Sequence, residues 1–352
     1  MKVKTEDFYK ASKHVSYFLD VFNECIYLKQ KGDKLYIIGE NGNIYTEYKI
    51  DVIDQTKNLP LCISLSNIQL SNILKNTEDE FVEIVPQTNV ENQPTSVLLL
   101  SSGRSASIPT LRKEYRKKNI KDANIVKDEK IIEKLKSAAH SLGDDWKDAS
   151  LASFFIEIND NDTRVTTTDG KRISIRGNTT GRQHLIPGTK IKKVLNEFNN
   201  DCKLAIADKE VCFFDQDKFV IITKVNGPFF NVENVIGNQN YNVRLNKESL
   251  KNALAFTGLF ERIFLSISSD VIEIIGHGEQ AGAFQTTAKV EGRGNVVPRV
   301  QICLNRRFLE DAVNSIHSKE IKMAITNKNN PLTLSGRGLN GFDVILPCVG
   351  KE

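Results

Sequence analysis

Three times along the chain the same order of segments recurs. An amphipathic helix is followed by strands, then by a second helix with a short apolar strand ahead of it, then by more strands. The first helices are read over 6–18, 129–142 and 247–260. Each opens on an acidic or polar cap region and carries apolar residues at helical spacing, Ile131, Ile132 and Leu135 in the second and Leu250 and Leu254 in the third. The second helices repeat more sharply. Ile63-Ser64-Leu65-Ser66-Asn67-Ile68 leads into Leu70 and Ile73-Leu74, Leu185-Ile186-Pro187-Gly188-Thr189-Lys190 into Ile191 and Val194-Leu195, and Ile302-Cys303-Leu304-Asn305-Arg306 into Phe308-Leu309 and Ala312-Val313. A period of roughly 120 residues reads as a repeat of whole domains.

Dividing the 352 residues at this period gives domains over 1–118, 119–238 and 239–352. About 115 residues is enough for each to bury its own core. Strand pairs follow each second helix, over 81–85 with 96–108, 204–207 with 211–224 and 321–325 with 332–347. Turn residues such as Asn340-Gly341 punctuate them. The pattern predicts an α+β fold with two helices per domain packed on antiparallel sheets. The stretch 112–121 is basic, lacks an apolar period and reads as a solvated connector between domains, with a DNA contact as the alternative.

Near the middle, Phe154-Phe155-Ile156-Glu157-Ile158 reads as a buried strand, and a polar turn over 159–162 separates it from a returning strand ending at Thr168. Asp169-Gly170 then signals a tight turn, since glycine takes positive φ without steric cost. Arg172-Ile173-Ser174-Ile175 alternates like a half-buried strand. On its own this stretch is a β-meander.

Catalytic chemistry finds little support. No phosphate-cradling GxxxxGK[ST] run occurs, and the Gly-x-Gly patterns at 276–278, 292–294 and 336–338 read as turns or bulges. The five histidines show no metal-binding spacing, and the six cysteines contain no CxxC and lie mostly in apolar runs. No enzyme, metal site or cofactor is therefore expected. No apolar run approaches the roughly 18 residues of a membrane span, and the N-terminus has no apolar signal core, so a cytoplasmic protein is expected. The net charge of +4 is mild. A nucleic-acid partner would require those charges to be gathered on one face.

Taken in order, the local motifs resemble those of the bacterial DNA polymerase III beta subunit, the sliding clamp. Thr168-Asp169-Gly170-Lys171-Arg172-Ile173 is similar to that family's T-D-G-x-R-[LI] signature. Ser102-Gly103-Arg104-Ser105 with Ser107-Ile108-Pro109 resembles the end of its first domain. The stretch 225–232 is similar to its DGxFPDY segment, and Val344-Ile345-Leu346-Pro347-Cys348-Val349 to its VxMPxR ending. The sequence departs from the family pattern at Lys171, Phe230, Asn234 and Val349. The resemblance spans essentially the whole chain and implies three clamp-type domains in a ring-forming fold.

It also implies a function: a DNA polymerase processivity factor, a head-to-tail homodimeric ring that encircles double-stranded DNA. The replicative polymerase, the clamp loader and other proteins carrying clamp-binding peptides would dock in one hydrophobic pocket. By resemblance that pocket comprises Leu151, Thr168, Gly170, Lys171, Arg172, Ile173, Phe230, Asn234, Val235, Asn305, Phe308, Val344, Leu346 and Pro347. DNA would face Lys10, Lys13, Lys134, Lys136, Lys190, Lys192, Lys193, Lys247, Lys251, Arg306 and Arg307, whose contacts to phosphates carry no base information. The interface between copies would use Arg104, Ser105, Ser107 and Ile108 against Leu259 and Phe260. The nucleoid would be the site of action. A monomeric clamp-like adaptor or inhibitor, binding the same peptides without encircling DNA, is the alternative.

Overall fold

A computed structural model describes residues 1–19, 25–54, 62–91, 93–111, 113, 115, 118, 122–144, 148–228, 232–236, 239–278, 284–296, 299–337 and 340–348. Its helices are α1 (Thr5–Phe18), α2 (Asn67–Lys75), α3 (Ile131–Ala138), α4 (Gly188–Glu197), the single turn α5 (Glu233–Ile236), α6 (Lys247–Phe256) and α7 (Arg306–Ser315). Strand pairing among the described residues is antiparallel throughout, in three sheets. The α+β architecture expected from the alternation of helices and strand runs is therefore the one observed. The chain separates into two compact units, Met1–Val126 with Lys193–Lys224, and Lys127–Lys192 with Val225–Glu352.

The first unit holds a four-stranded and an eight-stranded sheet. Phe8, Ala11 and Val15 of α1 and Leu70 and Leu74 of α2 lie in one core with Ile26, Leu28, Leu35 and Leu65 of the larger sheet. The two helices also share a polar contact, in which the Ser12 hydroxyl donates to Asn67 Oδ1 at 2.7 Å. The larger sheet continues where Ile44–Asp51 pairs with Lys218–Thr223, Tyr45 opposite Ile221 and Tyr48 opposite Lys218. The other face of that sheet carries Tyr27, Tyr45, Cys212 and Ile221, and Tyr115 packs on it. The Tyr115 hydroxyl lies 3.1 Å from that of Tyr45, and Lys118 pairs with Glu210 at 2.9 Å. The stretch 112–121 is thus not a wholly solvated connector.

The second unit is built on a twelve-stranded sheet. One half carries Ser153–Ile158, Thr163–Thr168 and Arg172–Arg176, and the other carries the strands from Tyr241–Asn246 onward. They join where Arg172–Arg176 pairs with Gly341–Ile345. α6 and α7 bury Leu250, Leu254, Leu309 and Val313 against Ile263, Leu265, Ile274 and Leu304. Each begins at an asparagine cap: Asn246 Oδ1 accepts from the Ser249 amide at 3.1 Å, and Asn305 Oδ1 from Phe308 at 3.3 Å. α6 ends at Phe256, short of the expected 260, because the chain turns through Thr257-Gly258. Phe260 folds back into the core and lies over Gly276, where a Cβ would meet the ring at 2.1 Å.

Buried charge marks the join between the halves. Arg176 is fully enclosed and donates to Asp343 Oδ2 at 2.8 Å, to the Ser137 hydroxyl at 2.7 Å and to the Ser315 hydroxyl at 2.8 Å. One guanidinium therefore ties the end of α3, the end of α7 and the joining strand together, with the buried Asp343 carboxylate as its counter-charge. Burial by itself would raise the pKa of Asp343; the charge of Arg176 and the hydrogen-bonding His140 imidazole outweigh it and hold the carboxyl below the usual range.

Candidate functional site

The turn at 168–172 is fixed by its own side chains. Gly170 sits at φ +83°. Asp169 Oδ1 accepts from the Lys171 and Arg172 amides at 2.9 and 3.0 Å, and the Thr168 hydroxyl donates to the Arg172 carbonyl at 2.8 Å. This Asx-turn chemistry holds Arg172 in one orientation. Its Nε donates to Asp169 Oδ2 at 2.9 Å and its Nη1 to Asp311 Oδ2 at 2.6 Å, and its guanidinium lies 4.4 Å from the Phe308 ring centre. Arg172 thereby fastens the hairpin to α7 and sets the aromatic ring beside it. Leu151 also approaches Gly170, its Cδ1 being 3.9 Å from where a Cβ would stand.

The C-terminal segment completes the wall. Ile173 pairs with Val344, and the Leu346 amide donates to the Lys171 carbonyl at 3.0 Å. Leu346, Pro347, Phe308 and Leu151 are half-buried, so their apolar surface is partly offered to solvent. Beneath them Ile173, Ile175, Val232 and Val344 form a closed apolar cluster on which Val235 packs. The hairpin, α7 and the C-terminal wall thus meet at one place. Within it, Thr168, Ile173 and Val344 are buried and floor the site rather than line it, whereas Lys171 is exposed at its rim. Phe230 and the side chain of Asn234 lie outside the described residues. Sequence reasoning missed Asp311, the second carboxylate bound to Arg172. The signal was an acidic residue three positions after Phe308, on the same helix face.

The basic residues sort by exposure. Lys10, Lys13, Lys136, Lys192 and Arg307 are exposed on helix faces. Lys190, Lys193, Lys247, Lys251 and Arg306 are half-buried. Lys193 donates to the Tyr17 carbonyl at 2.8 Å, Lys247 donates to the Ile316 carbonyl, and Lys251 pairs loosely with Glu248 at 3.7 Å. Arg306 is held by Glu310 at 2.7 Å and by the Phe260 carbonyl at 3.0 Å. Lys134 must be corrected. It is 5% exposed and bonds Asp128 and Asp162, both at 2.7 Å, and the Thr163 carbonyl at 2.8 Å. An ammonium enclosed by two carboxylates is a brace within the fold and has no face to offer a phosphate.

Two interface candidates also need correction. Ile108 is 1% and Phe260 7% exposed, and both belong to cores. Arg104, Ser105 and Ser107 are exposed on Arg104–Pro109, which ends the four-stranded sheet. Leu259 is 83% exposed and Phe256, which sequence reasoning passed over, 65%. These two, three residues apart at and just past the end of α6, form an exposed apolar step.

No protein-family model matches the sequence, and no curated protein sequence matches it. Solved structures do match, over the full length. The DNA polymerase sliding clamp of Pseudomonas aeruginosa, with ligand, superposes with a TM-score of 0.86 at 14% identity, covering 99% of both chains. The DNA polymerase III beta subunit of Thermotoga maritima gives 0.82 at 15%, covering 99% of both. The Helicobacter pylori beta clamp bound to a DNA ligase peptide gives 0.86 at 14%, covering 99% of this chain and 100% of that one. The chain therefore has the DNA sliding-clamp fold. Within that class its fold is that of the bacterial DNA polymerase III beta subunit, as the ordered motifs implied.

Proposed function

We propose that this protein is a DNA polymerase processivity factor. The observation that carries the reading is the end-to-end likeness to bacterial clamps, with neither chain leaving a domain unmatched. In this reading the domains are 1–118, 119–238 and 239–352, and two copies join head to tail in a closed ring around duplex DNA. The edge strand with Arg104, Ser105 and Ser107 meets the apolar step of Phe256 and Leu259 on the next copy. Lys10, Lys13, Lys136, Lys192 and Arg307, with Lys190, Lys193 and Lys251 beside them, face the phosphates. Because such attraction carries no register, the ring slides.

The site around Arg172, Phe308, Leu346 and Pro347 is then the dock for polymerase, loader and other partners, by short peptides with Leu or Phe anchors. A peptide of DNA ligase bound to the Helicobacter pylori clamp supports this class of partner. The protein acts as a tether and not as a catalyst. A ring on duplex DNA would work in the cytoplasm, at the nucleoid; among the described residues no helix is long and apolar enough to cross a membrane.

The experiment is retention on nicked circular duplex through gel filtration in high salt, with release when the circle is linearised. Equal retention on both forms refutes encirclement. The second reading, an adaptor that never closes on DNA, is favoured by the burial of Ile108 and Phe260, which removes two apolar candidates from the interface. It predicts peptide binding with no difference between circle and line.

A further inference from the structure

The strand Val300–Asn305 ends the twelve-stranded sheet, pairing on one side with Arg262–Ile267. Its other edge is met by the C-terminal segment, where the Cys348 amide donates to the Cys303 carbonyl at 2.8 Å. Val300, Ile302 and Leu304 point into the core, so Cys303 shares the outer face with Gln301 and Asn305. Both Cys303 and Cys348 are free and half-buried. With standard backbone dimensions, that amide bond keeps the two Cα atoms within about 6.7 Å of each other, inside the span a disulfide accepts. Burial and the neighbouring Cys348 sulfur both push the Cys303 thiol up, as two sulfurs side by side should.

The remaining cysteines are held apart by register. Cys25 lies opposite Ser66, while Cys62 precedes Ile63, which lies opposite Leu28. That separates the two by about four residues along the strands, or roughly 13 Å. Cys212 lies opposite Ala205, three positions from Cys202, or roughly 10 Å.

We propose that Cys303 and Cys348 are a reversible intrachain disulfide site, formed by a hydroperoxide oxidant, that fastens the C-terminal wall of the pocket to the edge strand. One thiolate attacks an oxygen of hydrogen peroxide, breaks the O–O bond and becomes a sulfenic acid, releasing hydroxide. The second thiolate attacks that sulfur, forms the S–S bond and expels a second hydroxide. The two sulfurs together lose two electrons, which the peroxide gains, and the two thiol protons leave in two waters. A small thiol reductant reverses the bond by exchange. Leu346 and Pro347 immediately precede Cys348, and Asn305, the cap of α7, lies two residues after Cys303. The bond would therefore clamp both sides of the wall. Its meaning for peptide docking rests on the proposed function; its formation does not.

The test treats the full-length protein with stoichiometric hydrogen peroxide, alkylates it in denaturant and maps the digest. The expected result is a Cys303–Cys348 cross-linked peptide two mass units below the sum of the reduced pair, with the other four cysteines alkylated. Hydrogen exchange of the Cys348 amide should slow at least tenfold on oxidation and recover with dithiothreitol. Cys303→Ser should give a sulfenic acid at Cys348 that dimedone traps, and no cross-link. Full alkylation of both residues, oxidation that stops at sulfinic acid in the unmutated protein, or an unchanged Cys348 amide would overturn the proposal. None of these readouts involves a peptide, so failure here is distinct from failure of the pocket.

Discussion

Replacing Arg172 by alanine should loosen α7 from the hairpin without unfolding either unit. The residue makes two charge-assisted hydrogen bonds, at 2.9 Å to Asp169 and 2.6 Å to Asp311, and lies 4.4 Å from the Phe308 ring centre. Each such bond is worth about 1.5–3 kcal/mol and the stack about 0.5–1 kcal/mol. The side chain of Asp169 is 17% and that of Asp311 31% exposed, so both carboxylates regain water when the cation leaves, and much of the gross value is offset. The net cost should be about 2–3 kcal/mol in the opening free energy of α7. Native-state hydrogen exchange reads this locally: amides over 306–315 should exchange about 30–150-fold faster, while those of α1 stay unchanged. Asp311→Ala leaves Arg172 with Asp169 and should cost about half as much. The double variant should show a coupling of about 1–2 kcal/mol. Wild-type exchange in α7 of the Arg172 variant, or strict additivity with Asp311→Ala, would refute the assignment of Arg172 as the fastener.

Lys134→Met should destabilise the protein by about 3–5 kcal/mol, because Asp128 is left buried without its cation. The salt slope of DNA binding should not change, whereas Lys192→Ala with Arg307→Ala should lower it by about 2; measured slopes and thermal unfolding check both. Acidification should weaken the fold in two stages. Burial, only partly countered by Glu197, lowers the pKa of His14, so its contribution is full above its unfolded value of about 6.5 and is lost as pH falls below it. Asp343, also depressed, adds a second loss below about pH 4. Unfolding midpoints from pH 8 to 3 should show both, and Asp343→Asn should shrink the lower one, to which Asp128 and Glu197, also held low, still contribute. Leu346→Ala with Pro347→Ala should abolish binding of a Leu- or Phe-anchored peptide by fluorescence polarisation while the solution mass is unchanged.

Local periodicity was legible. The helices expected at 6–18 and 129–142 appear as α1 and as α3 continued by a 3-10 turn at Ala139–Ser141. The Asp169-Gly170 turn appears with the positive φ its glycine invites. What sequence spacing could not convey were contacts made across long separations. Lys134 looks like any lysine on a polar helix face until Asp162 is brought to it by the neighbouring hairpin. Phe260 looks like a helix-end apolar residue, yet the space over Gly276 draws it inward. The two large sheets likewise run on across the repeats, because Ile44–Asp51 meets Lys218–Thr223 and Arg172–Arg176 meets Gly341–Ile345. A repeat read from sequence counts segments and is blind to such joins. Of the pocket, the turn and the C-terminal wall were readable as motifs, while Asp311, which positions Arg172, belongs to no motif.

The proposed closed ring of two chains can be tested by solution mass from light scattering over a dilution series. A ring gives a mass near twice the 39.6 kDa of one chain that holds on dilution and is lost when Phe256 and Leu259 are both changed to serine. A stable mass of one chain at every concentration would contradict the ring and leave a clamp-fold adaptor in its place.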